Sequence, residues 1–183
     1  MTGEINEYKY INDQAPSVKI KYSYSLYQGE YFMDLWYKHR LSIIQECPEF
    51  SKIDLIKNDS KVEQLFNKWI YSSDFDNEEI VQRLNLLIKR FEVTKKIYSH
   101  YDENFRAVDK SMYSDLRVYL LFSYILIQAY YKRERPQYLN ALLKVNDILS
   151  GQFNKLDRDN LSLLGYCLSK EVELIQKLKS NLS

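Results

Sequence analysis

Glycine and proline are nearly missing from this chain, with four and three among 183 residues. A sheet-rich protein draws on those residues for its many hairpin turns, so their scarcity favours helices. Cysteine is as rare, and Cys47 and Cys167 stand far apart in unrelated contexts. They form neither a zinc spacing nor a redox motif, and read as reduced core thiols of a cytosolic protein. The two histidines, His39 and His100, lack a second His or Cys at ligand spacing, so no metal site is expected. A Gly-rich phosphate loop, a Gly-x-Ser-x-Gly elbow and a Cys-Gly signature are all missing, which removes the common motif-borne enzyme classes. No cofactor is expected. Net charge is missing too: 26 Lys and Arg against 25 Asp and Glu leave +1, so no overall field draws the chain to nucleic acid or anionic lipid. The first 30 residues lack the charged start, apolar middle and small-residue cleavage site of a signal peptide, and a cytoplasmic location is the expectation.

What is present is length, tyrosine and helical periodicity. A chain of 183 residues fits one domain that buries about 70% of its unfolded surface, enough to stand without disulfides or metal. Tyr outnumbers Phe by 17 to 8. AT-rich codons account for much of that excess; the alternative is use at interfaces, where an apolar ring with a polar tip suits a partly wet contact. The organising stretch is 114–149, in which the apolar segment 118–131 meets Lys132, Arg133, Glu134, Arg135 and Pro136. On a helix its apolar residues leave almost no polar face, which marks a buried helix. The run is well short of the roughly 20 apolar residues needed to span a bilayer, so no membrane association is expected.

Taken in order, residues 1–28 form an N-terminal arm, within which 17–26 alternates in the period of a half-buried strand: Val18, Ile20, Tyr22, Tyr24 and Leu26 against Ser and Lys. No second alternating segment follows, so this piece is either an extended arm or an edge that pairs with another copy. Residues 29–183 read as an all-α, single-domain bundle of about six helices. The first covers 29–47 and is stopped by Pro48. Asn58 to Ser60 cap a short amphipathic helix, and Asp76 or Asn77 caps the next, which lasts to about Ser99. Asp102 caps a long central helix over about 103–132. Pro136 opens the fifth, Gly151 ends it as a left-handed cap, and the sixth begins near Asp157 or Asp159.

Polar residues that break the apolar pattern are the candidates for chemistry. Arg117, Tyr124 and Gln128 lie within about 40° of one another on the central helix, while Asp115 falls on its apolar side, where a carboxylate is costly unless paired. Together they suggest a polar ligand pocket; the alternative is an ion pair with a neighbouring helix. Asn146 falls between Leu139 and Leu142 in the apolar arc of the fifth helix and needs an internal hydrogen bond. Asn140, Lys144 and Asp147 share one face within about 60°, the usual solvent stripe. His39 or His100 is a candidate acid or base, because imidazole titrates near physiological pH. The basic patch Lys132, Arg133, Arg135 and Lys144, with tyrosines nearby, suits phosphates or a stacked base, but cations in a last helical turn also offset the helix dipole.

The leading expectation is a helical binding or accessory protein acting through protein contacts, with a protein partner or by self-association. Its surface would be 18–26 together with Tyr31, Trp36 and Tyr37. The alternatives are an enzyme or small-ligand binder using Asp115, Arg117, Tyr124, Gln128, Asn146 and His39, and nucleic-acid binding through 132–144.

Overall fold

The computed structural model describes residues 26–50, 60–108 and 115–181, with the backbone alone for 26–32. The strand or arm expected over 17–26 lies outside these residues, save for Leu26, which opens the first helix, as does the Tyr31 side chain. The chain is all-α, with six α-helices among the described residues: α1 Leu26–Ile44, α2 Lys61–Ser72, α3 Glu78–Thr94, α4 Leu116–Lys132, α5 Pro136–Ser150 and α6 Arg158–Asn181. None of them is long and apolar enough to cross a membrane. The chain divides into two compact units, one of residues 1–50 and 146–183 and the other of residues 51–145.

Local signals set most helix ends. The Ser60 hydroxyl accepts the backbone N–H of Glu63 at the start of α2, and Asn77 accepts those of Glu79 and Ile80 at the start of α3. Each bond satisfies donors that a helix start leaves open. Pro136 occupies the first position of α5, where its missing N–H costs nothing. Gly151 does not take the left-handed conformation expected of it. Its N–H instead continues the helical ladder to the Asp147 carbonyl at 3.1 Å, and the chain tightens into the short 3-10 turn Phe153–Lys155.

The central helix is shorter than its pattern predicts, beginning at Leu116 instead of about 103. Asp102 caps no helix: its Oδ1 accepts the N–H groups of Asn104 and Arg106, closing a turn in which Tyr101 bridges Ala107. Those two bonds, the Arg106 N–H first, hold the Asp102 carboxyl below its ordinary range. Phe105, spaced like a helical core residue, reaches the core from this loop with a positive φ of 56°. The true cap is Asp115, whose exposed carboxylate accepts the Val118 N–H at 3.4 Å. A carboxylate counted on the apolar side of a longer helix therefore sits at a helix start, where solvent and the dipole both favour it.

In the unit of residues 51–145, α2 packs on α4. Glu63 meets Arg117, Phe66 meets Phe122 and Asp76 meets Arg133, so the two helices run in the same direction. Phe122 lies 5.9 Å from the Phe66 ring and 5.3 Å, edge-on, from Phe91 of α3. Leu120, Leu121, Ile125, Leu126 and Ile127 are all fully buried, so α4 is apolar on every side as its sequence requires. The Tyr119 hydroxyl accepts the Ile97 N–H at 3.0 Å and so satisfies the buried backbone after α3.

In the other unit α1 packs on α6. Arg40 meets Glu171 and the turn after α1 brings Cys47 to Gly165, so these helices are antiparallel. The approach at Gly165 is close: a Cβ there would lie 2.7 Å from the Cβ of Cys47. Beyond it Phe50 packs against Tyr166, the rings tilted by 32° with centroids 4.5 Å apart, and Ser162 donates to the Glu49 carbonyl. Gly165→Ala should therefore cost about 1–3 kcal/mol in urea unfolding through overpacking. Cys47→Gly in the same chain should restore part of that loss, and equal stability of Gly165→Ala and the parent chain would contradict the packing described.

Candidate functional site

The densest polar constellation is built around Arg40. On α1 it sits a turn from both Trp36 and Ile43, within the buried stripe, so its guanidinium enters the interior and is fully shielded from solvent. A guanidinium cannot shed its charge, so burial demands partners. Glu171 supplies the first, accepting Nε at 2.8 Å and Nη2 at 3.3 Å. It too lies in an apolar stripe, between Leu168 and Ile175 of α6. Asp147, on the last turn of α5, accepts Nη2 at 2.7 Å, and the Ser150 hydroxyl accepts Nη1 at 3.3 Å. Asn146 closes the set by donating Nδ2 to Glu171 Oε1 at 3.1 Å. The Trp36 ring lies 5.3 Å beneath the guanidinium carbon, a cation–π contact in a dry setting.

Two carboxylates share one cation, so the cluster carries a surplus negative charge when both are ionised. Burial raises the Glu171 carboxyl, with Arg40 and Asn146 opposing. Burial likewise pushes Asp147 up to about 7, with Arg40 opposing and Glu171 adding to the rise. Burial alone would lower Arg40, but the two carboxylates outweigh it and raise the guanidinium further. The half-buried His39 imidazole is lowered, by burial first and then by the adjacent Arg40 charge, so it stays neutral more readily.

The structure distributes the expected site residues rather than gathering them. Asn146 belongs to the Arg40 cluster as a hydrogen-bond donor, whereas His39 only adjoins Arg40 along α1 and feels its charge. Arg117 is buried and reaches Glu63 of α2 at 3.6 Å, an ion pair between neighbouring helices. Tyr124 and Gln128 are half-buried a turn apart on α4, and Asp115 is the exposed cap at its start. Trp36, expected on the surface, is buried, with its ring beneath the Arg40 guanidinium. Of the basic patch, Lys132 and Arg133 lie 3.9 and 3.7 Å from Asp76. Lys144 pairs with Glu92 of α3, and Arg135 is exposed.

Of this cluster, Arg40 and Glu171 were not marked in the sequence, and Asp147, read there as part of a solvent stripe, keeps only 18% of its side-chain surface and bonds Arg40. The signal was present for two of them, because Arg40 and Glu171 interrupt apolar stripes just as Asn146 does. Elsewhere, a hollow of about 50 Å³ lies beside Lys61, Arg83, Tyr101, Asp102 and Phe105. Ligand pockets are commonly about 300–1,000 Å³, so this one has room for a few waters. Among the described residues no group of three or more His, Cys, Asp or Glu is placed to hold a metal ion. Comparison with family models, curated proteins and solved structures gives no match to this chain.

Arg40→Met leaves two buried carboxylates without their cation. It should lower stability by about 3–5 kcal/mol in urea unfolding. Lys132→Met, which removes an exposed partner of Asp76, should cost less than about 1 kcal/mol in the same assay. Similar losses from the two variants would show that the buried cluster holds nothing together.

Proposed function

We propose that this chain is a helical binding or accessory protein of the cytoplasm that acts through protein contacts on its outer surface. The observation that carries this reading is the exposure of two tyrosines, Tyr71 at 58% and Tyr131 at 50%, in the final turns of α2 and α4. Because α2 and α4 run in the same direction, both rings come to the same end of the helix pair. Lys132, Arg133 and Arg135 follow directly, and Tyr with Arg is the composition that protein interfaces favour. Interior polar groups support the same view, since Arg40 spends its donors on Glu171, Asp147 and Ser150 and Arg117 faces Glu63. A basic end partly neutralised by Asp76 suits an acidic-rimmed protein better than a phosphate backbone, which rewards uncompensated cations.

A photo-crosslinking residue at position 131 or 71 should trap a partner chain, or a second copy, in cells or at high concentration. The same residue at the exposed position 89 should not. A strict monomer by light scattering, with no adduct from either tyrosine position, would overturn the reading.

A further inference from the structure

The Arg40 cluster treats its two carboxylates unequally. Glu171 is fully buried and its charge is met by Nε and Nη2 of the guanidinium and by Asn146. Asp147 keeps 18% of its side-chain surface and receives a single bond at Oδ1, while its buried Oδ2 has no hydrogen-bond partner. A carboxylate accepting several hydrogen bonds holds its charge, whereas one with an uncompensated buried oxygen is better off neutral. Burial raises both carboxyls, and the hydrogen bonds that hold the charge on Glu171 make Asp147 the better seat for a proton.

The charges facing Asp147 come from two other helices. Arg40 on α1 favours ionisation, and Glu171 on α6 opposes it. His39, beside Arg40, adds no positive charge while its imidazole is kept neutral. On α5 itself the nearest cation is Lys144, a turn earlier, and it is engaged by Glu92. Lys170 and Glu173, flanking Glu171 on α6, pair with each other at 3.4 Å. Among the described residues the balance at Asp147 thus rests on one cation and one competing anion.

We propose that the Arg40–Asp147–Glu171 cluster is a proton-operated latch. Uptake of one proton by Asp147 removes the surplus buried charge and fastens α1 to α6 and to the end of α5. Release of that proton restores the repulsion between the two carboxylates and loosens the fastening.

The sign of the pH dependence follows from linkage. Burial pushes the folded carboxyl up to about 7 from an ordinary 3.8, so the fold holds this proton more tightly than the unfolded chain does. Its stabilisation is complete below 3.8 and is lost as pH rises to about 7. His39 acts oppositely: its lowered imidazole costs stability as pH falls below the ordinary 6.5. A His39→Gln background removes that opposing contribution.

Thermal midpoints at about pH 5 and about pH 8 should then fall by roughly 5 °C in His39→Gln, and by less than about a third of that in His39→Gln/Asp147→Asn. Equal falls in the two chains would overturn the latch. Independently of either variant folding, carboxyl-carbon NMR of the parent chain should show Asp147 titrating with a midpoint above about pH 6; a midpoint below that would overturn the proposal.

Discussion

The unit of residues 1–50 and 146–183 depends on a single desolvated guanidinium. Arg40 has no solvent exposure and a charge it cannot lose, so every arrangement of α1, α6 and the end of α5 must deliver anions to one point. The antiparallel register of α1 and α6 answers that demand, setting Glu171 opposite Arg40 and, one and a half to two turns away, Gly165 opposite Cys47. Burying a charge is a poor way to gain stability, but it penalises every register that leaves the charge unpaired. Apolar side chains such as Leu164 and Leu168 would tolerate a slip; Arg40 would not. Direction in the cluster comes from charge and closeness from the missing side chain at Gly165.

The unit of residues 51–145 solves a similar problem with more grease and fewer charges. Its buried pair, Glu63 with Arg117, joins the first turns of α2 and α4 and fixes their common direction. From there the aromatic rings of Phe66, Phe91, Phe105 and Phe122 fill the interior, and backbone groups left open by the loop after α3 find side-chain partners. The Phe105 backbone departs from the usual left half of conformational space to bring its ring under Arg83 at 4.8 Å. That cost is offset by burial of the ring.

The helices were legible in the sequence because they announce themselves locally: Ser60 and Asn77 as caps, Pro136 as a first residue, and an uninterrupted apolar surface from 118. The length of α4 was not. Phe105 and Val108 carry on its spacing in sequence, yet 100–108 folds as a turn around Asp102, and periodicity alone does not separate a core residue on a helix from one delivered by a loop. Asn146 was legible as a buried donor because it lies inside an apolar arc. Arg40 and Glu171 broke their stripes in the same manner but stand 131 residues apart, and nothing local pairs them. Asp147 misled in the other direction. Sharing a face with Lys144 and Asn140 it read as solvent-exposed, whereas its face turns to Arg40 at the last turn of α5.

Arg40 and Glu171 act energetically as one object. A double-mutant cycle measures that directly: urea unfolding of the parent chain, Arg40→Met, Glu171→Leu and the double variant. Because each single change strands a buried charge and the double change strands less, the coupling should exceed about 2 kcal/mol, with the double variant more stable than Arg40→Met alone. Additive losses, with a coupling below about 0.5 kcal/mol, would contradict the account.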